Sequence, residues 1–285
     1  MLAELERARV SELYVASDGP RPGNAVDVER CGQVRALIDE VDWPVNVHRL
    51  FRESNVGLDE AMVSSIDWFF THVEAGAVLE DDCIPAPEWF PFAREILDRF
   101  ADVPRVMQVS ALNMADAEHY TDHSYFFAEV GHIWGWATWR RAWNPYDRDL
   151  DDWPLIREEV ERDATPLRRM LARKFDSARA GRKASWVRSW YFTQIRFGGL
   201  AVIPSVNLVE NIGVGDDATH PRRRRHPLRR WANRPLRFPL DHPEELVPNP
   251  GYERHLTRYH AGSYAQRARE RALIMRDALG LGRRS

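Results

Sequence analysis

Cysteine is nearly absent: the 285 residues hold two, Cys31 and Cys83. That excludes a disulfide-stapled scaffold and a cysteine-built zinc site, and it makes a reducing, cytoplasmic setting the expected one. No apolar run approaches the roughly 18 residues that a membrane-crossing helix needs. The opening stretch, MLAELERARV, is charged and has no apolar h-region, so it does not read as a signal peptide. A dominant charge sign is also lacking, since 40 Lys and Arg stand against 43 Asp and Glu, for a net charge of −3. With 44% hydrophobic and 29% charged residues the composition is globular, which excludes collagen, coiled coil and low-complexity disorder. There is no internal repeat, and the length fits one large domain or two small ones.

Tryptophan is what the chain has in excess. Of its 11, five fall between positions 134 and 153: Trp134, Trp136, Trp139, Trp143 and Trp153. An indole offers a large flat face and one N–H donor. This stretch is therefore either a thick aromatic core or a stacking surface for sugars or bases.

The pattern along the first half alternates. Residues 10–17 read as a buried strand stopped by Asp18-Gly19-Pro20. Ala25–Glu40 has helical spacing, and Val45–Phe51 alternates as a second strand. A loop over 52–57 leads into a helix bearing Met62, Ile66, Phe69, Phe70 and Val73, with Gly76 expected as its C-terminal cap. Ala77–Leu79 is a short strand, Glu88–Phe100 a helix and Val106–Leu112 another strand. The second half predicts a strand over Tyr125–Val130, a helix or tight turn around Gly135, helices over 155–175 and 185–197, and a strand over Leu200–Pro204. A polar loop follows over 207–220, and a terminal helix over 261–279. Such alternation predicts an α/β fold with a mostly parallel sheet flanked by helices. Ligands of such sheets bind at the carboxyl ends of strands, where this chain carries Asp18-Gly19-Pro20-Arg21 and Glu80-Asp81-Asp82. Residues 1–220 read as one domain, and 221–285 as a basic Arg/Pro-rich segment with a terminal helix.

Glu80-Asp81-Asp82 is the sharpest of these signals. Three acids directly after a strand oppose one another's ionisation, and a divalent cation relieves that repulsion. Carboxylate oxygens suit Mg²⁺ or Mn²⁺, with substrate phosphates completing the shell. The alternative is a solvated acidic turn in which Asp82 caps the next helix.

The string VLEDDCIPAPEWFPF resembles the acidic metal motif of glycosyltransferases with the GT-A fold, in particular the N-acetylglucosaminyltransferase I type. Together with SDGPR, FRESNVG, WGWATWRRAW and NLVENIGVGDDATH, in that order, it is similar to bacterial glycosyltransferase-family-2-like, or nucleotide-diphospho-sugar transferase, proteins over roughly residues 10–220. The resemblance implies a metal-dependent transfer from a nucleotide-diphosphate sugar to a glycan or glycoconjugate; inversion at the sugar is the expected course, with retention left open. It implies that Asp18, Gly19 and Arg21 line the nucleotide pocket, and that Arg52, Asn55 and Gly57 close over it. Asp82 would touch the metal, Asp81 the ribose or sugar, and Glu80 the sugar or a supporting hydrogen bond. His220 would be a further metal ligand, and Trp134, Gly135 and Trp136 would build the acceptor side. Each has a plainer alternative: Asp18 as a turn residue, Arg21 as a solvated charge, Asn55 as a helix cap, His220 as a surface group.

Two departures stand out. The family's opening strand has no counterpart, since Met1 aligns within the family's first helix. Where an inverting relative carries a catalytic Asp, this chain has Val187, which accepts no proton. Glu210, Asp216 and Asp217 are the remaining base candidates, and they are not ranked. Two other classes stay open. One is a catalytically silent sugar-nucleotide or glycan-binding module. The other is binding to an anionic surface through Arg222–Arg237, a stretch within 221–237 that has eight Arg and no acid. No zinc motif or reading helix accompanies those arginines, so a specific nucleic-acid partner is not expected. Contact with anionic lipid or an acidic protein is the more modest reading.

Overall fold

The computed structural model describes residues 1–115, 120–162, 165–181, 185–213 and 234–260. Helix α1 (Leu2–Arg7) leads into β1 (Glu12–Ser17), α2 (Ala25–Asp39), β2 (Asn46–Phe51) and α3 (Leu58–His72). Asn24 starts α2 by accepting the amide protons of Val26 and Asp27, two of the donors that a helix N-terminus leaves free. β3 (Ala75–Val78), β4 (Cys83–Pro85), α4 (Trp89–Arg99) and β5 (Val106–Ser110) follow. The second half supplies β6 (Tyr125–Ala128), β7 (Trp136–Trp139), α5 (Arg140–Trp143), α6 (Trp153–Arg162), α7 (Pro166–Arg179) and α8 (Trp186–Arg196). Strands β8 (Leu200–Pro204) and β9 (Val209–Asn211) and helix α9 (Pro250–His260) complete it.

The fold is mixed α/β, as expected, but its main sheet is not mostly parallel. Its order is β3-β7-β5-β8-β6. Only β5 and β8 pair in parallel; β3 with β7, β5 with β7 and β6 with β8 run antiparallel. Parallel neighbours need a long crossover, usually helical. The chain between β5 and β8 supplies it with α5, α6, α7 and α8. β1 and β2 form a separate parallel pair with Tyr14 opposite His48. β4 and β9 form a third small sheet, antiparallel.

Three local expectations are corrected. Gly76 does not cap α3, which ends at His72; it lies inside β3. A side chain there has no room, because a Cβ would overlap the Phe69 ring. The helix expected over 155–175 is two, α6 and α7, broken before Pro166, whose N-cap Thr165 accepts the Arg168 amide at 3.1 Å. Gly135 is a turn with φ +58°, and it leads first into a strand, β7, and only then into the short helix α5.

α3 covers both pieces of sheet. Tyr14 of β1 meets Phe69 edge-on with ring centroids 5.1 Å apart, and Gly76 of β3 abuts the same ring. The core lies between the main sheet and α4, α7 and α8, where Trp89, Phe92, Phe175, Trp190 and Phe192 are fully buried. α9 is anchored to it by buried Tyr252 and Leu256. Among the described residues no helix is long and apolar enough to cross a membrane.

A second acidic pair sits where α9 meets β6. Glu253 accepts the Glu129 amide at 3.2 Å, and Glu129 pairs with Arg168 at 2.6 Å. Burial first, and then the Glu129 charge, push the Glu253 carboxyl from 4.5 up to about 7, with Arg168 pulling it partly back. The folded chain therefore holds a proton that the unfolded chain has released, and stability falls as pH rises from about 4.5 to about 7. Glu253→Gln is expected to remove part of that fall, on the order of 2 kcal/mol. Denaturant unfolding at pH 5 and pH 8 checks it: the variant gains stability over the natural chain at pH 8 only.

Candidate active site

The carboxyl ends of β3, β5 and β8 converge, because Trp136 at the start of β7 lies opposite both Val78 and Ser110, and β8 runs parallel to β5. Main-chain hydrogen bonds knit this end together. The Ala111 amide donates to the Gly135 carbonyl at 2.8 Å, that of Leu208 to Ala111 at 2.9 Å, and that of Ala86 to Leu208 at 2.8 Å. Glu80-Asp81-Asp82 emerges here, between β3 and β4. The sequence pattern puts these acids at a strand end, and the structure does the same.

The three carboxylates differ. Asp81 is exposed and Asp82 half-buried. Glu80 is turned inward, and its Oε1 is fully out of solvent with no hydrogen-bond partner. Burial, then the charges of Asp82 and Asp81, push the Glu80 carboxyl up to about 7. Cys83 is buried beside them, its Sγ 3.4 Å from Asp82 Oδ1. Burial and the neighbouring Asp82 and Glu80 raise the thiol well above its usual range.

The β4–β9 pairing brings a distant segment onto the acids. Cys83 stands opposite Asn211 and Ile84 opposite Glu210. The Ile212 amide donates to the Asp82 carbonyl at 2.8 Å, and Gly213 lies against the Asp82 side chain. Asn207 shapes the approach, its Nδ2 donating to Val209 O at 2.6 Å. Glu210 is thus on the strand beside the acids and is exposed. Asp216, Asp217 and His220 lie outside the described residues, as do Arg222–Arg225 and the two arginines after Pro227. Among the described residues no group of three or more His, Cys, Asp or Glu is arranged to hold a metal ion.

The residues expected around the nucleotide form a second cluster, and most of their polar groups are spent on the fold. Asp18 Oδ2 accepts from Asn55 Nδ2 at 2.8 Å, and its Oδ1 from the Gly19 and Val56 amides at 2.8 and 3.1 Å. Gly19 is buried with the Ser54 backbone where a Cβ would sit. The 18–21 and 52–57 loops are therefore clamped together by one carboxylate. Arg21 is held by Asp27 through two bonds, one of them 2.9 Å. Arg52 turns inward, its Nη2 donating to Ser64 Oγ at 2.8 Å and Ser65 Oγ at 3.1 Å. Gly57 precedes α3 with φ +85°. Among the described residues no hydrogen bond or ion pair joins this cluster to Glu80-Asp81-Asp82.

Of the three residues expected on the acceptor side, Gly135 fits closest to the acids: Leu79, Ala111 and Val209 crowd the place where its Cβ would be. Trp134 is partly buried against the core. Trp136 is wholly buried, enclosed by the rings of Trp143, Trp186 and Trp190. It has no open face, and the stacking expected of it is corrected to a core role. Val187 likewise packs on the core. Next to it, the Trp186 amide is capped by Asp59 Oδ1 at 2.9 Å, reaching across from α3. Sequence reasoning passes over Asp59, which stands in no quoted string, and over Gly213, which sits inside NLVENIGVGDDATH but carries no side chain to draw attention. A cavity of about 440 Å³ opens between α3 and residues 143–148. Asp67, Trp143, Tyr146 and Arg148 help to line it, and none of the three acids does.

Two crowded oxygen donors at a strand end, one of them beside an orphaned buried carboxyl oxygen, suit a hard divalent cation that also takes water or phosphate ligands. No family model matches the chain, and no curated protein matches it in sequence.

Proposed function

We propose that the chain is a metal-assisted glycosyltransferase that moves a sugar from a nucleoside-diphosphate sugar to a glycan or glycoconjugate. One observation carries the reading. Glu80-Asp81-Asp82 is set at the convergent strand ends, with Glu80 half-buried, its Oε1 out of solvent and without a hydrogen-bond partner, and its carboxyl raised to about 7. A fold that stores such repulsion is complementary to a cation placed among the acids. Asp82 and Asp81 would hold it, and Glu80 would support them or reach the sugar. A bound Mn²⁺ or Mg²⁺ would offset the charge of a departing diphosphate. The residues themselves do the rest. Asp18 fixes the two loops that border the nucleotide side, and Gly135 lets the backbone come close to whatever lies over Leu79. The acceptor's proton requires a carboxylate. Asp59 joins Glu210, Asp216 and Asp217 as a candidate, because Val187 has no group to take it.

Calorimetric titration with UDP, TDP and GDP, each with and without Mn²⁺, tests the proposal. One nucleotide is expected to bind in a Mn²⁺-dependent way, and Asp82→Ala to weaken that binding by about 100-fold or more. Unchanged Mn²⁺-dependent affinity in the variant would remove Asp82 from the site. The apolar packing of Val187 favours a second reading, a module that binds a sugar nucleotide without transfer. Binding without any release of sugar to water or acceptor would select it.

A further inference from the structure

We propose that Gly213 is a positioning residue for Asp82. The proposal rests on the reading of the acids as a cation site. A methyl group on Gly213 would overlap Asp82 Oδ2 and come within 3.0 Å of its Cβ and Cγ. The glycine cannot retreat easily, because its surroundings are pinned. The Ile212 amide is bound to the Asp82 carbonyl at 2.8 Å, and the Gly213 amide to Asn211 Oδ1 at 3.0 Å. Asn211 itself is locked opposite Cys83 by the β4–β9 register. On the other side, Cys83 Sγ lies 3.4 Å from Asp82 Oδ1. The carboxylate is thus held between a thiol at one oxygen and a bare Cα at the other. A side chain at 213 turns it away, since a short aspartate can yield only by rotating about its own bonds. Groups that orient a metal-binding carboxylate set its affinity almost as strongly as the ligands do. This also ties the acids to a segment 128 residues further along the chain.

Mn²⁺ binding, read from the free-ion electron paramagnetic resonance signal, tests the proposal on the full chain. It is measured on the natural protein, Gly213→Ala, Asp82→Ala and the double variant. Gly213→Ala is expected to weaken Mn²⁺ binding about tenfold, with its circular dichroism spectrum and unfolding midpoint unchanged. In the Asp82→Ala background it should add nothing. Gly32→Ala, where nothing lies within 4 Å of the added methyl, should leave binding untouched. If Gly213→Ala binds Mn²⁺ like the natural chain while Asp82→Ala does not, the proposal is overturned. It is overturned too if the glycine change weakens binding equally in both backgrounds. If the natural chain binds no Mn²⁺, or Asp82→Ala binds it normally, the cation-site reading fails first and this proposal with it. Should Gly213→Ala fail to fold, Asn211→Ala carries the same test by releasing the Gly213 amide. Affinity then falls if the segment orients Asp82 and holds if it does not.

Discussion

Gln108→Leu is expected to lower unfolding stability by about 3–5 kcal/mol, the sum of the buried groups it strands. Gln108 is fully buried on β5. Its Oε1 accepts from Trp190 Nε1 at 2.9 Å and from Gln194 Nε2 at 2.7 Å, and its Nε2 donates to His132 O at 2.6 Å. Leucine fills most of the space but leaves two buried donors without an acceptor, each costing roughly 1–3 kcal/mol. His132 O keeps one bond, from Ser110 Oγ at 3.2 Å. The same reasoning predicts that adding Trp190→Phe and Gln194→Leu to Gln108→Leu recovers much of the loss, since no donor is then left unpaired. Urea unfolding of the single and triple variants decides it. A single variant within about 1 kcal/mol of the natural chain would mean that the network contributes nothing. The effect reaches the candidate site as well, because the His132 carbonyl lies in the loop that carries Gly135 to its place beside Leu79.

Trp136→Ala is the second large effect, expected to cost about 3–5 kcal/mol as a buried aromatic removed to leave a cavity. Trp136→Phe should cost about 1–2 kcal/mol, since it keeps most of the buried surface. It gives up an Nε1–H that has no partner in the fold, so no hydrogen bond is lost with it. The pair of variants separates packing from ligand contact. If Trp136 only packs, the phenylalanine variant matches the natural chain in every nucleotide and saccharide titration of the proposed function, while the alanine variant unfolds at a lower denaturant midpoint. An alanine variant of unchanged stability would contradict the enclosure by Trp143, Trp186 and Trp190.

Trp136 also shows why the second half of the sequence was harder to read. β7 is buried on both faces, so Trp136, Ala137, Thr138 and Trp139 show no apolar–polar alternation. The spacing of Trp136, Trp139 and Trp143 copies a helix face, although only Arg140–Trp143 is helical. The first half was legible chiefly through its stop signals, since only α3 buries a clear apolar face; β1, expected as a buried strand, has no fully buried residue, and α2 exposes Val28 and Val34 and buries only Ile38. The acids were legible for a similar reason, standing as a string right after a short strand. What the string could not disclose was its partner. β9 comes from far along the chain, and such pairing leaves no local trace. Nor does sequence distinguish a spent charge from a free one. Arg21 looks available until Asp27 is seen to hold it, and Arg52 until it is seen turned inward onto the serines of α3, although no carboxylate pairs with it and its Nη1 is buried without a partner.

The division of the sheet has a consequence for behaviour in solution. β1 pairs only with β2, and β3 only with β7. Among the described residues each therefore keeps one row of main-chain donors and acceptors without a strand beside it, and both strands lie under Phe69. Rows of this kind are indifferent to sequence and accept any extended segment of matching length. Charged side chains are one of the usual defences of an open edge, yet β3 is Ala-Gly-Ala-Val, with nothing to repel a neighbour. An uncharged edge such as β3 favours backbone pairing between chains, which concentration promotes and salt does little to change.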